Sequence, residues 1–442
     1  MSSPTLSPPT RSTALGRPSL PAAVMAVVTA TIVAGLVIRW RTRIDLGTPL
    51  PPFLMRWTPE VRWPAAAIAA VLALGSAAAA PWAIARVRSG ALFATLSYAT
   101  TLAIGLAVGA ARLGTHGWTH VFDLGPGGSW EASREYLPAL PALRRGVAYY
   151  VGHFAQLLPS LPTHTKGNPP GPLVAMHLLS ITTPGRLAAA CMIVGSLVAP
   201  LTYVLGRSLG DERRGRIAAA FAACSPCVLV YGFTSVDFVF AAIAGAVACL
   251  LVSRRASVRA LGCVAAGIAV FFSWLLLAIP VWTVVVAAVR DGRRAAAALA
   301  AATAAGVLGV TLVLAAVWGY DPIAIFRAVH RAYGMGAAAH RPYAFWLVGS
   351  PVAWLTLLGP PIAWLALRSL QRGDPAAVAL AVVVVISVAA GFTKGETERI
   401  WLPYVPLACA AAAATPIVRL RPALVGMAVE ALVIGALFGT VW

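Results

Sequence analysis

Residues 158–173, LPSLPTHTKGNPPGPL, close the longest polar segment of the chain and lead into an apolar run. They hold Lys166, one of only two lysines among 442 residues. The other, Lys394, lies in a second polar stretch between two apolar runs, residues 392–401 (FTKGETERIW). We interpret these two stretches as facing each other across a site outside a membrane.

The composition predicts a membrane protein. Hydrophobic residues make up 60% of the chain and charged residues 11%, whereas about a quarter of a soluble domain is charged. Several apolar runs approach or exceed the roughly 20 residues that a helix needs to span a bilayer, and they are continuous rather than alternating. We therefore predict an all-α polytopic membrane protein with roughly 13 transmembrane helices, placed in a bacterial plasma membrane.

The Ser/Pro/Thr-rich residues 1–19 predict a disordered cytoplasmic tail, and 20–442 form a single transmembrane domain. Within that domain, the polar residues 113–183 form a large extracytoplasmic loop. Its apolar part, 171–182, is too short to span and predicts a re-entrant or interfacial helix. Two further outer loops are expected, at 319–343 and 392–401.

The net charge of +20 does not indicate nucleic-acid binding, because the arginines lie in short clusters between apolar runs. With the amino terminus in the cytoplasm, this pattern follows the positive-inside rule except at residues 39–63. This segment, with its five arginines, is placed outside by the topology, and a cytoplasmic position is the alternative. The same topology places all seven histidines and both lysines outside. This asymmetry favours an enzyme with an extracytoplasmic active site.

Three carboxylates of the large loop are candidates for a general base. Glu131 and Glu135 are four residues apart, a spacing that predicts one face of a helix, and Asp123 lies in the glycine-rich FDLGPGG. The alternatives are a surface helix with solvated charges and a flexible turn.

The motif around Lys166 combines a cation with two polar side chains, His164 and Asn168, ahead of a proline turn. Proline restricts the backbone, and glycine lets it approach a ligand closely. Lysine can bind phosphate as a point charge, so we predict a phosphate site with His164 and Asn168 contacting substrate. An ordinary entry into a helix is the alternative.

The second polar stretch places Lys394, Glu396, Glu398 and Arg399 at a membrane boundary, which is costly unless they pair or bind a ligand. Arg399 suits phosphate recognition, and the two glutamates are candidate substrate contacts. A self-neutralising ion cluster is the alternative. Asp237 opens an apolar run and either marks a helix start or points into the site.

The chain carries no set of residues with firm metal-ligand spacing, no phosphate-binding P-loop and no nucleophile elbow. No cofactor is required by these patterns. A divalent cation, Mg²⁺ or Mn²⁺, bridging a phosphate and an acid is compatible with them.

The run from Glu135 to Leu137, the loop LPTHTKGNPPG and the late GETERIWLP together resemble the GT-C superfamily of integral-membrane glycosyltransferases. The resemblance is greatest to the actinobacterial branch related to protein mannosyltransferases and lipid-linked arabinosyl and mannosyl transferases. It implies a polyprenyl-phosphate sugar donor and an active site on the outer face. The acidic pair usual in that family's first outer loop is missing, so the catalytic acid is carried over to Glu135. The family's His-Pro-Pro turn corresponds to Asn168-Pro169-Pro170.

We therefore hypothesise a glycosyltransferase that moves a sugar from a polyprenyl-phosphate donor to a cell-envelope glycan or protein with inversion. The donor phosphate lies near Lys166, Arg399 and Lys394, and Glu135 or Asp123 deprotonates the acceptor hydroxyl. A transporter or flippase for a lipid-linked or anionic solute is the main alternative, and a non-catalytic scaffold is a third. The lipid bilayer is a partner in every case.

Overall fold

The computed structural model describes residues 19–42 and 44–441, and 79% of the chain is helical. Apart from Ser19, the predicted tail 1–19 lies outside the described residues. The α-helices are α1 Leu20–Arg41, α2 Trp63–Arg86, α3 Gly90–Leu113, α4 Val147–Gly152, α5 Phe154–Leu157, α6 Thr163–Gly167, α7 Gly171–Leu178, α8 Pro184–Gly195, α9 Val198–Leu209, α10 Glu212–Cys224, α11 Val236–Val252, α12 Ala256–Phe272, α13 Ala278–Arg290, α14 Arg293–Trp318, α15 Pro322–Met335, α16 Tyr343–Leu358, α17 Pro360–Gln371, α18 Pro375–Ala390, α19 Thr397–Ile400, α20 Val405–Ala412 and α21 Leu420–Leu437.

Shorter elements connect these helices. One π-helix spans Cys227–Gly232. Two strands, β1 Met55–Trp57 and β2 Phe438–Thr440, pair antiparallel and tie the segment after α1 to the end of the chain. The 3₁₀ helices are Gly114–Trp118, His120–Phe122, Trp130–Arg134, Leu137–Leu143, Leu158–Ser160, Trp274–Leu277, Ala337–His340 and Leu402–Tyr404.

Six helical segments in the described part of the chain are long and apolar enough to cross a membrane. They are α1, α2, α3 with its 3₁₀ extension, α8 with α9, α14 and α21. In the most apolar 18 residues of α1 and of α2, only 17% of the residues are buried inside the protein, and in α14 only 6% are. Such exposed apolar faces suit contact with lipid tails. The predicted helical class is confirmed, and these six segments meet the length and apolarity that a span requires.

The count of roughly 13 spans is not confirmed. Five other apolar helical segments have only 10–17 residues, including α11, α12 and α18. The run between Tyr343 and Gln371 is broken at Gly359, where α16 and α17 meet at 113°. Pro360 and Pro361 account for this break, because proline disfavours helical backbone in the residue before it.

The core contains helices that are too short to span but are buried on all sides. Every residue of α20 is buried, and so is the π-helix Cys227–Gly232. Small residues allow this close packing, since α20 reads VPLACAAA. These helices form part of the packed interior of the bundle.

The predicted helix carrying Glu131 and Glu135 on one face is wrong. Trp130–Arg134 is a single 3₁₀ turn, and Glu135 follows it with extended backbone. Prolines at 138 and 141 explain the difference, because proline lacks an amide donor and its ring clashes with the preceding turn of a helix. As predicted, the apolar end of this region forms only a short helix, α7.

Helices α12 and α14 approach each other through glycine. A Cβ on Gly306 would meet the backbone carbonyl of Cys263, closer than real Cβ atoms approach, whereas a Cβ on Gly309 of the same helix would meet open space. Overpacking of this kind costs about 1–3 kcal/mol. We expect Gly306→Ala to lower the thermal midpoint in detergent.

Gly309→Ala is the matched control. It should leave the midpoint unchanged or raise it slightly, since alanine has the higher helix propensity. Equal midpoints for the two variants would contradict the close approach of α12 and α14.

Candidate functional site

A cavity of about 760 Å³ lies where the two polar stretches of the sequence meet. Helix α6 and the segment 392–401 both contribute side chains to it, as predicted from the positions of the two lysines. Parts of α11, α13, α15 and α18 complete the lining. The side chains that the site predictions placed here and that line the cavity are His164, Lys166, Asn168, Asp237, Lys394, Glu396 and Arg399.

A tight backbone turn within 392–401 directs three charged side chains of this stretch toward one cavity. Gly395 and Glu396 adopt left-handed backbone, with φ of +78° and +59°. This conformation suits glycine but costs roughly 1–2 kcal/mol for a residue with a Cβ. The tight turn it makes leads directly into α19 and lets Lys394, Glu396 and Arg399 line one cavity.

A buried ion network forms the charged wall. Arg399 is paired with Asp237 of α11 and with Glu396 at 3.2 Å, and Arg341 is paired with Glu396 at 2.7 Å. Arg341 also donates to the carbonyl of Lys394 at 2.6 Å. Burial opposes the charge of Glu396, but Arg341 and Arg399 outweigh it and lower the pKa to about 2. The two arginines and two carboxylates therefore neutralise one another.

A second polar cluster lies close to this network, since Glu135 and Glu131 act electrostatically on Arg399. Nε2 of His164 is 2.7 Å from Glu131 and 3.8 Å from Glu135, both almost fully buried. Burial lowers the pKa of His164, but Glu135 and Glu131 raise it by more, so the net change is upward. Asn168 donates to the Tyr136 hydroxyl at 2.9 Å and helps to fix the loop.

Three cations of the lining have no carboxylate partner among the described residues. Lys166 makes no side-chain hydrogen bond or ion pair there. Lys394 donates through Nζ to the carbonyl of Ala338 at 2.9 Å, and Arg134 stacks over Trp130 at 4.5 Å. With five cationic side chains and two carboxylates in its lining, histidines aside, the cavity suits an anion.

Four predicted site residues do not line the cavity. Glu131 and Glu135 lie behind His164. Asp123 accepts from the amide of Gly125 at 2.8 Å within its own turn. This contact fits the alternative in which Asp123 only shapes a turn.

Glu398 is fully buried and does not line the cavity. One oxygen accepts from the amide of Leu54 at 2.7 Å, and the other has no partner within the described ranges. Burial raises the pKa of Glu398 to about 7. Its position ties the segment after α1 to α19 rather than contacting a ligand.

Sequence reasoning did not select two groups of lining residues. Arg341 belongs to the predicted outer loop 319–343, whose basic residues are explained equally by an interfacial helix and by contact with a headgroup or an acceptor. In the structure it completes the ion network. Trp274, Phe326, His330 and Phe392 form an aromatic cluster in the lining, with neighbouring ring centroids 5.6–6.4 Å apart. The sequence gave no signal for this cluster, because its four residues are scattered along the chain.

Glycine allows close packing beside the cavity. A Cβ on Gly171 would meet the carbonyl of Phe271, at the end of α12. The glycine of the Pro-Pro-Gly turn therefore brings α7 against the wall that carries Ser273 and Trp274, rather than against a ligand.

No group of three or more His, Cys, Asp or Glu side chains that could hold a metal occurs within 19–42 and 44–441. Comparison with protein-family models, with curated proteins and with solved structures found no match.

The raised pKa of His164 predicts a pH-dependent stability. A raised pKa in the folded state stabilises the fold fully below the unfolded value of about 6.5, and this contribution is lost as the pH rises through the folded value. We expect the difference in thermal midpoint between the wild type and His164→Gln to shrink as the pH is raised from 5.5 to 9.

His153→Gln is the matched control, because His153 is exposed and stacks on Tyr149 without a carboxylate partner in the described structure. Its difference from the wild type should stay constant over the same range. A constant difference for His164→Gln as well would show that the glutamates do not hold its proton.

Proposed function

We propose that this protein transfers a sugar from a polyprenyl-phosphate donor to a hydroxyl acceptor. The observation that carries the proposal is the mixed lining of the cavity. Apolar side chains of α13, α15 and α18 and buried charged groups line the same cavity. A lipid-linked phosphate sugar likewise combines an apolar chain with a charged group.

The apolar part of the lining reaches the surface of the protein. Five apolar side chains line the cavity and are also at least 40% exposed: Leu277, Val281, Phe326, Ile386 and Phe392. An isoprenoid chain seated there passes from lipid to the charged wall without crossing a polar layer. Burial of its apolar surface contributes about 25 cal/mol per Å².

The unpaired cations suit the charge that develops during transfer. A phosphodiester donor carries one negative charge, and the departing polyprenyl phosphate gains a second. Lys166, Lys394 and Arg134 are already in the lining, so they stabilise this charge without rearrangement. Arg399, neutralised by Asp237 and Glu396, instead anchors the wall.

Glu131 and Glu135 influence this reaction through His164, which contacts both carboxylates and itself lines the cavity. Their charge keeps a proton on the ring and fixes its position. The placement of the catalytic site on the outer face, and of the protein in a bacterial plasma membrane, is part of the same proposal.

Transport of a lipid-linked solute is the second candidate. The observation in its favour is the helix break between α16 and α17, since transporters bind ions at broken helices. However, Gly359 at the break packs against Met427 and Pro226 and does not line the cavity.

The first test is sugar transfer by the purified protein in lipid nanodiscs, using radiolabelled polyprenyl-phosphate sugars and hydroxyl-bearing glycans and peptides. Transfer with release of polyprenyl phosphate is the expected result. Donor binding without transfer for every donor would overturn the proposal and favour transport, which flux measurements in proteoliposomes would then test.

Lys166→Gln should weaken donor binding about tenfold or more, because a charged hydrogen bond to phosphate is worth about 1.5–3 kcal/mol. Filter binding of radiolabelled donor measures the change. Arg293→Gln removes an exposed cation outside the cavity and should bind donor normally. Equal donor binding by both variants would show that Lys166 does not bind the donor phosphate.

A further inference from the structure

The transfer reaction proposed above needs a group that takes the proton of the acceptor hydroxyl. Such a group must reach the cavity and must have a lone pair that is not already committed. The carboxylates near the site differ in whether they reach the cavity and in whether they have a free lone pair. Glu131 and Glu135 do not line the cavity, and Glu398 is sealed behind it.

Glu396 lines the cavity, but both of its oxygens are occupied. Oε1 accepts from Arg341 at 2.7 Å, and Oε2 accepts from Arg399 at 3.2 Å. These contacts lower its pKa to about 2, which makes it a poor proton acceptor. Glu396 therefore organises the wall and is unsuited to proton transfer.

Asp237 is different because only one of its oxygens is used. Oδ2 accepts from Arg399 and from the Ser235 hydroxyl at 3.1 Å. Oδ1 takes no hydrogen bond from any described side chain or backbone amide, and the side chain lines the cavity with 13% of its surface exposed. Because Oδ2 is covered, the exposed edge is Oδ1.

The backbone around Asp237 holds the carboxylate in place. Asp237 is the second residue of α11, and its amide donates to Ser235, which caps the helix. The same serine then donates to Oδ2, so the carboxylate is fixed from its own helix and from α19. A base fixed in this way is preorganised for one direction of proton transfer.

We propose that Asp237 is the catalytic base, and that Arg399 and Ser235 are its positioning residues. The inference rests on the proposed function, since it assumes a hydroxyl acceptor and a phosphate leaving group. It assigns the proton transfer to a carboxylate of the membrane bundle rather than to the large polar segment 113–183.

In this step the acceptor oxygen attacks the anomeric carbon of the donor. A new carbon–oxygen bond forms while the bond from that carbon to the phosphate oxygen breaks, and its electron pair leaves with the phosphate. The hydroxyl proton moves to Oδ1 of Asp237, which becomes a neutral acid and later releases the proton to water. Lys166 and Lys394 face the charge gained by the phosphate.

The test compares a hydroxyl acceptor with azide, an anionic nucleophile that has no proton to lose. Asp237→Asn keeps the size of the side chain and an oxygen that can accept from Arg399. We expect transfer to the hydroxyl to fall by about 10²–10⁴-fold, the usual contribution of a general base. Donor affinity should stay within a few-fold of the wild type, and azide should yield glycosyl azide at a rate close to that of the wild type.

Asp291→Asn is the matched control, because Asp291 pairs with Arg290 in the turn between α13 and α14 and does not line the cavity. It should transfer to both nucleophiles normally. Thermal midpoints of both variants check that each remains folded.

Each other outcome decides against part of the proposal. Hydroxyl transfer at the wild-type rate in Asp237→Asn would overturn the assignment of Asp237 as the base, whereas the proposed transferase activity would remain supported. Loss of transfer to azide as well, with donor still bound, would make Asp237 a structural residue and overturn its catalytic role. Absence of transfer by the wild type with every donor would overturn the proposed function and the base together.

Discussion

The pairing of Arg399 with Asp237 and Glu396 is the interaction on which the site depends. It joins residues 162 positions apart in the chain and buries their charges between α11 and α19. Ions removed from water in this way are stable only when each has a well-placed partner, and loss of one partner typically costs about 3–5 kcal/mol. Arg341 completes the network, so the position of α15 and α16 is linked to the same charges.

This neutral network explains how a cavity beside a membrane can hold charge without collapsing. Paired groups form a rigid wall, and unpaired lysines remain available for a ligand. The two tasks fall to different residues, even within the short stretch 392–401. Lys394 and Arg399 are five positions apart, yet one donates only to a backbone carbonyl and the other is held by two carboxylates.

Composition and the position of the two lysines predicted the membrane helices and the meeting of 158–173 with 392–401, because both follow from the cost of charge near lipid. The partners of Asp237 could not be predicted, since pairing across 162 positions depends on how the helices pack. The inward direction of Glu131 and Glu135 escaped prediction because prolines 138 and 141 replace a helix with a 3₁₀ turn. The break at Gly359 did carry a signal, the Gly-Pro-Pro sequence itself.

The contact between Glu398 and Leu54 joins positions 344 residues apart. During synthesis, the segment after α1 and the start of α11 are made long before α19 emerges from the ribosome. Asp237 therefore lacks its partner Arg399 until nearly the whole chain has been synthesised. Assembly of the site is a late event in biogenesis, and a chain truncated before α19 would present an unneutralised carboxylate to membrane quality control.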